Sequence, residues 1–453
     1  MGSILIKNAK AIITLNAEDA VLENANILIK DNYIGYIGKE RFEAGEVIDA
    51  GNMFVYPGLI NTHHHLYQTF TRNLPQVQNL ELFDWLIALY QIWRGLTPEM
   101  IFYSSLVGMG ELLKYGCTTC FDHHYVFPQK NSADFIEQQF LAAEQLGMRF
   151  HASRGSMSRG RSDGGLPPDD LVQSVEDILT DSLRLIEKYH DAGRFSMRQV
   201  VLAPCSPFSV TGDLMVRTAE LARAKKVRLH THLAETMDEE RYCMEQFNIR
   251  PLEYMESLGW LGEDVWFAHG IHFNEQELNR LASTKTGVAH CPVSNQKLAS
   301  GTAKIPRMLE LGVPVGLAVD GSASNDCSNL LAELRASFLI HRLTSSNEAP
   351  GGYAMLKLAT KGGSLLLGRE DIGSIEVGKA ADLFMIDTNR LEYVGARLDP
   401  RSILATVGVS GPVAYTIVNG EIVVKDGELC KVEEAKIVQR ANNLVNKLLS
   451  GMS

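Results

Sequence analysis

The stretch Val55-Tyr56-Pro57-Gly58-Leu59-Ile60-Asn61-Thr62-His63-His64-His65 ends an apolar segment on three consecutive imidazoles. Protonated neighbours repel one another, and neutral ones still need hydrogen-bond partners, so such a cluster requires a reason. It lies well inside a chain of 453 residues, which excludes a terminal purification tag. Successive side chains of a strand point to opposite faces. A strand here sends His63 and His65 the same way and His64 elsewhere. Pro57-Gly58 leads the chain into the strand, and the two matched imidazoles can grip a cation from one side.

Outward from this point the chain alternates. Apolar strand candidates are "MFVYPGLIN", "CTTCFDH", "MRFHAS", "QVVLAPC", "VRLHTHL", "VWFAHG", "GVAHC" and "VPVGLAVD". Helical patterns separate them. "LTPEMIFYSSLVGMGELLKYG" has an N-cap in Thr97, Pro98 at the first helical position and Gly116 just past the end. Eight strands alternating with helices predict an α/β fold, a TIM-type (β/α)8 barrel with insertions, over residues 57–370.

In such a barrel the chemistry collects at the C-terminal strand ends. The first strand ends in His63 and His65, the fifth in His230, His232 and then Glu235, the sixth in His269 and the eighth in Asp320. Singly, each has a bland reading as a hydrogen-bonded core histidine or a turn aspartate. Jointly, imidazoles and carboxylates at the same end of four strands need a shared partner, which a divalent cation supplies. Three histidines plus one aspartate suit Zn²⁺ or Fe²⁺, with a position left for water. Cys117-Thr118-Thr119-Cys120 resembles a metal or redox pair, but in a strand i and i+3 face opposite ways, so inert thiols are expected.

Residues 1–56 and 371–453 share a different texture of short strands. Asp31-Asn32, Asn419-Gly420 and Asp426-Gly427 supply turn pairs between apolar runs. The two ends are expected to form one small β-sandwich domain, closed by an amphipathic helix in "VEEAKIVQRANNLVNKLL". The net charge of −11 argues against nucleic-acid or anionic-membrane partners. No long uncharged apolar run, leader or myristoylation pattern is present, and seven scattered cysteines fit reduced thiols, so a cytoplasmic protein is expected.

The motifs "PGLINTHHH", "HTHLAE", "AHG", "HCPVSN" and "VDGSAS", in this order, resemble the markers of the amidohydrolase superfamily. The likeness spans nearly the whole chain and is strongest to the branch holding cytosine and guanine-type deaminases and triazine hydrolases. Within it, "LFDWLIALYQIW", "DHHYVFP", "SRGSMSRGRSDGGLPPDD" and "LAPCSPFSVT" resemble the 8-oxoguanine deaminases. The resemblance implies one metal, held by His63, His65, His232 and Asp320, with Glu235, His269 and Asp320 catalytic. It further implies attack by hydroxide generated at the metal, proton shuttling by Glu235, and a homo-oligomer. The fourth strand lacks the lysine that bridges two metals in other members, which favours one ion.

The implied activity is hydrolytic deamination of a purine-like heterocycle, 8-oxoguanine to urate plus ammonia. Alternatives are a triazine hydrolase releasing amine or chloride, or a pterin or guanine deaminase. A non-catalytic scaffold is disfavoured because every expected ligand is present. Candidate substrate contacts are Gln68, Trp85, Arg154, Cys205 and Ser324. Trp85 offers a stacking surface, and Arg154 a fork for a ring carbonyl at the start of a Gly-rich loop. Asn295 is read as structural.

Overall fold

Residues 2–130, 132 and 134–450 are described by a computed structural model of the chain. Eight parallel strands follow one another around a barrel: β1 (Leu59–Asn61), β2 (Cys117–Asp122), β3 (Arg149–Ser156), β4 (Arg198–Pro204), β5 (Leu229–Leu233), β6 (Val265–His269), β7 (Gly287–His290) and β8 (Val315–Leu317). Each pairs with the next in sequence. Backbone bonds from Thr62 to Leu317 (3.3 Å) and from Asp320 to His63 (3.1 Å) close the ring. Each of the eight candidates therefore contributes a barrel strand. These strands carry near-continuous apolar runs because helices cover their outer faces.

The first candidate is not one strand. Met53–Pro57 belongs to a separate mixed sheet, pairing antiparallel with Leu383–Asp387 and parallel with Ala11–Ile13, and only Leu59–Asn61 enters the barrel. Gly58 is the crossing point, where a Cβ would lie 2.1 Å from Thr118 Oγ1, so no larger residue lets the chain pass.

The chain termini meet as expected. A seven-stranded sheet joins Ala11–Ile13, Val21–Leu22 and Met53–Pro57 to four strands from residues 383–429. A four-stranded sheet of N-terminal strands packs with it over one core containing Ile6, Ile27, Ile29, Val55, Leu383, Met385 and Ile417. The hairpin between Tyr415–Val418 and Glu421–Lys425 turns at Asn419 (φ 50°) and Gly420 (φ 81°), the left-handed pair that matches strand twist. Helix Pro98–Lys114 starts at Thr97, whose side chain accepts from Met100 N. The final helix, Glu434–Ser450, buries Ala441, Leu444 and Leu448 against it, and Lys114 pairs with Glu434 at 2.6 Å. Among the described residues no helix is long and apolar enough to cross a membrane.

Candidate active site

The histidines at the barrel mouth are oriented by groups that can only accept. His65 Nδ1 lies 2.6 Å from the His123 carbonyl and His232 Nδ1 lies 2.7 Å from the Cys205 carbonyl. Both rings must carry their proton on Nδ1, leaving a lone pair on Nε2. For His63 the constraint passes through a second ring. His230 Nδ1 donates to the Trp266 carbonyl (2.9 Å), so neutral His230 accepts at Nε2 from His63 Nδ1 (2.8 Å). Burial keeps His230 well below its ordinary range, so this second ring is neutral.

Three bare Nε2 lone pairs therefore converge. His65 Nε2 and His232 Nε2 are 3.1 Å apart, His63 Nε2 has no hydrogen-bond partner, and Asp320 Oδ1 lies 3.3 and 3.2 Å from His63 and His65. The other Asp320 oxygen accepts from Ser294 Oγ at 2.6 Å. Lone pairs and a carboxylate at these separations repel unless a cation lies among them. Burial first, against the pull of Asp320, holds His63 down to about 3, so a proton on His63 does not serve as that cation. Two overlapping groups here, His63 with His65, His123 and His232, and His63 with His269 and Asp320, bring ligand atoms close enough together to fit a divalent metal.

His269 and Glu235 stand beside this set, with His269 Nε2 3.4 Å from Glu235 Oε2 and 4.0 Å from Asp320 Oδ2. His269 Nδ1 donates to Asn295 Oδ1 at 2.9 Å, which again leaves Nε2 free. Burial, with the Asp320 charge adding, pushes the Glu235 carboxyl up to about 8. A cation among the neighbouring ligands acts in the opposite direction. His269 (φ 73°) and Asp320 (φ 63°) both hold left-handed backbone, a strain that non-glycine residues keep where the surroundings impose it.

One cavity joins these groups to most of the expected substrate contacts. His65, Gln68, Trp85, Cys205, His232, Glu235, His269, Asp320 and Ser324 line it, together with Leu82, Leu86, Tyr125, Phe208 and Leu298. His63 is fully buried and does not line the cavity. The cavity is about 30 Å³ in volume. A larger cavity of about 1050 Å³ lies between the barrel flank and the terminal domain, but none of the clustered histidines lines it.

Arg154 is not at the site. Strand β3 runs on to Ser156, so this residue is in the strand rather than opening a loop. Its Nε binds Asp181 at 2.6 Å, an Nη binds Gln173 at 2.9 Å, and its guanidinium covers the Phe127 ring at 4.0 Å. The outer helical layer consumes its fork. Asn295, read from the sequence as structural, instead orients His269.

His123 was not singled out by sequence. It follows β2, stacks on His232 with centroids 4.7 Å apart, and donates from Nε2 to the Ala203 carbonyl at 2.8 Å. Its Nδ1 is buried without a partner and falls within the same cluster. The signal for it was present, a histidine at the end of the second strand. Cys117 and Cys120 are buried free thiols, and burial pushes Cys117 up to about 12.

The amidohydrolase family model matches residues 54–423. The chain is 43% identical to 8-oxoguanine deaminase of Pseudomonas aeruginosa over 100% of both chains. It is 38% identical to hydroxydechloroatrazine ethylaminohydrolase of Pseudomonas sp. strain ADP, over 100% of this chain and 97% of that one. Among solved structures, atrazine chlorohydrolase of Arthrobacter aurescens TC1 complexed with zinc superposes with a TM-score of 0.94 at 32% identity, covering 98% of this chain and 100% of that one. With the barrel, the terminal sheet domain and the His/Asp cluster in place, the chain belongs to the amidohydrolase family and is a hydrolase acting on carbon–nitrogen bonds.

Proposed function

We propose that the chain deaminates 8-oxoguanine to urate and ammonia, using one zinc ion. The observation that carries this reading is the 43% identity to an 8-oxoguanine deaminase over both full chains. His63, His65, His232 and Asp320 hold the ion. A divalent ion there supplies Lewis acidity, which makes water a nucleophile at neutral pH.

The protein's own groups then manage protons and position. Asp320 accepts the water proton, and His269, fixed by Asn295, steadies the charge that develops on the attacking oxygen. The oxygen adds to the ring carbon bearing the exocyclic amine while Glu235 delivers a proton to the adjacent ring nitrogen. The adduct's hydroxyl proton passes through Glu235 to the amine, the carbon–nitrogen bond breaks as the carbonyl forms, ammonia leaves, and the proton on Asp320 returns to Glu235. One water is consumed per ring.

Two buried polar atoms support the choice of an oxygenated, nitrogen-rich ring. Trp85 Nε1, a donor only, and Gln68 Oε1 have no protein partner. Trp85 donates to a ring carbonyl and Gln68 pairs with a ring N–H or amine. Cys205 and Ser324 complete the wall, and Arg154 takes no part. The 38% identity to a triazine aminohydrolase makes a triazine the second reading, with the same steps.

The test is a panel of 8-oxoguanine, guanine, isoxanthopterin and hydroxylated triazines, followed by urate absorbance and ammonia release. The expected result is the highest kcat/KM for 8-oxoguanine. Inert 8-oxoguanine beside rapid turnover of another ring overturns the substrate assignment and leaves the chemistry standing.

A further inference from the structure

Strand β5 ends at Leu233, and Ala234 then takes φ 54°, a left-handed value that alanine adopts only where its surroundings impose it. This turn aims Glu235 at the cavity. It also brings the N–H groups of Ala234 and Glu235 round to one acceptor. Both donate to the carboxylate of Glu239, at 3.0 Å to one oxygen and 3.1 Å to the other. Glu239 lies on helix Met237–Phe247 with no exposed surface. A buried carboxyl group is costly, so its two backbone bonds need a purpose.

The carbonyls of the same turn are held from the other side. The Ala234 carbonyl accepts from Ile271 N (2.8 Å) and His272 N (3.0 Å), and the Leu233 carbonyl from Gly270 N (3.1 Å). The turn after β5 is thereby locked to the turn after β6, which carries His269. Glu235 and His269 meet at 3.4 Å as a result.

We propose that Glu239 is the positioning residue for Glu235: its two oxygens fix the left-handed turn and hold the Glu235 carboxyl where it exchanges protons with the substrate. The inference rests on the reading of Glu235 as proton carrier given above. Glu239 does not line the cavity, so it acts through Glu235. Each N–H meets its own oxygen of Glu239. A carboxamide supplies one oxygen and turns an amino group against the second donor.

The test measures kcat, KM and metal content of the metal-loaded full chain, with the best ring of the panel, for Glu239→Gln, Glu239→Asp, Glu235→Gln and the Glu235→Gln/Glu239→Gln double variant. Misplacing a catalytic group by about 1 Å costs up to about 10²-fold. Glu239→Gln is therefore expected to keep its metal, to hold KM within about threefold and to lose about 10–100-fold in kcat. Glu239→Asp keeps both oxygens and recovers part of the loss. In the Glu235→Gln background, Glu239→Gln changes the residual rate by less than about twofold, because the two residues act as one unit.

A Glu239→Gln kcat within about twofold of the parent overturns the proposal, and so does an undiminished loss added on top of Glu235→Gln. If the Gln variant does not fold, the Asp variant runs through the same two backgrounds. A crystal structure of the Glu239 variant separates the readings. An unmoved Glu235 side chain defeats the positioning role, whereas a displaced Glu235 together with full activity of Glu235→Gln defeats the proton-carrier reading alone.

Discussion

The two walls of the cavity are built on opposite plans. On the metal-binding wall the side chains come from barrel strand ends, and each imidazole is turned by a protein acceptor. The carbonyls of His123, Cys205 and Trp266 fix which nitrogen of His65, His232 and His230 carries the proton. The facing wall comes from the segment between β1 and helix Pro98–Lys114, and its polar atoms are left open. Trp85 Nε1 and Gln68 Oε1 are buried and unpartnered. Under the proposed function, the first wall is set for a fixed ion and the second for a ligand that comes and goes.

The contrast breaks most visibly at the ligands. Lewis-acid assistance is worth several kcal/mol, so Asp320→Ala is expected to lose metal and to lower kcat by on the order of 10³. Metal content and turnover on the same sample check this. His230 touches no substrate but sets the His63 tautomer, and His230→Phe is expected to weaken metal affinity by about 10–100-fold. A competition titration against a chelator measures that shift. An unchanged affinity removes the relay through the Trp266 carbonyl from the account.

On the open wall, Trp85→Phe keeps the ring and deletes the donor. Leaving a ring carbonyl unpaired costs about 1–3 kcal/mol, so KM should rise about tenfold or more with metal content untouched. Arg154→Met is expected to have the smallest effect on catalysis. KM stays within about twofold, while a melting curve shows a loss of about 1–3 kcal/mol from the broken pairing with Asp181 and Gln173. A large KM change in Arg154→Met returns this arginine to the substrate wall.

Periodicity and turn chemistry carry most of the fold in the sequence itself. His63 and His65 at a spacing of two, the histidines of "LHTHL", and Asn419-Gly420 are local signals whose geometry follows from the backbone alone. What escaped was set by distance or by element boundaries. Arg154 reads as a loop residue at the cavity because the candidate strand "MRFHAS" stops three residues short of the end of β3, and its partner, Asp181, is 27 positions away. The run "MFVYPGLIN" gives no sign that it serves two sheets, because the division depends on Thr118 crowding Gly58. Asn295 and His123 join the site only through contacts formed across the barrel mouth.

Zinc titration of chelated protein, read by turnover and elemental analysis together, tests the central claim most directly. Activity should be absent from metal-free protein and should rise to a plateau at one ion per chain. Full turnover by protein shown to hold no transition metal would contradict the account.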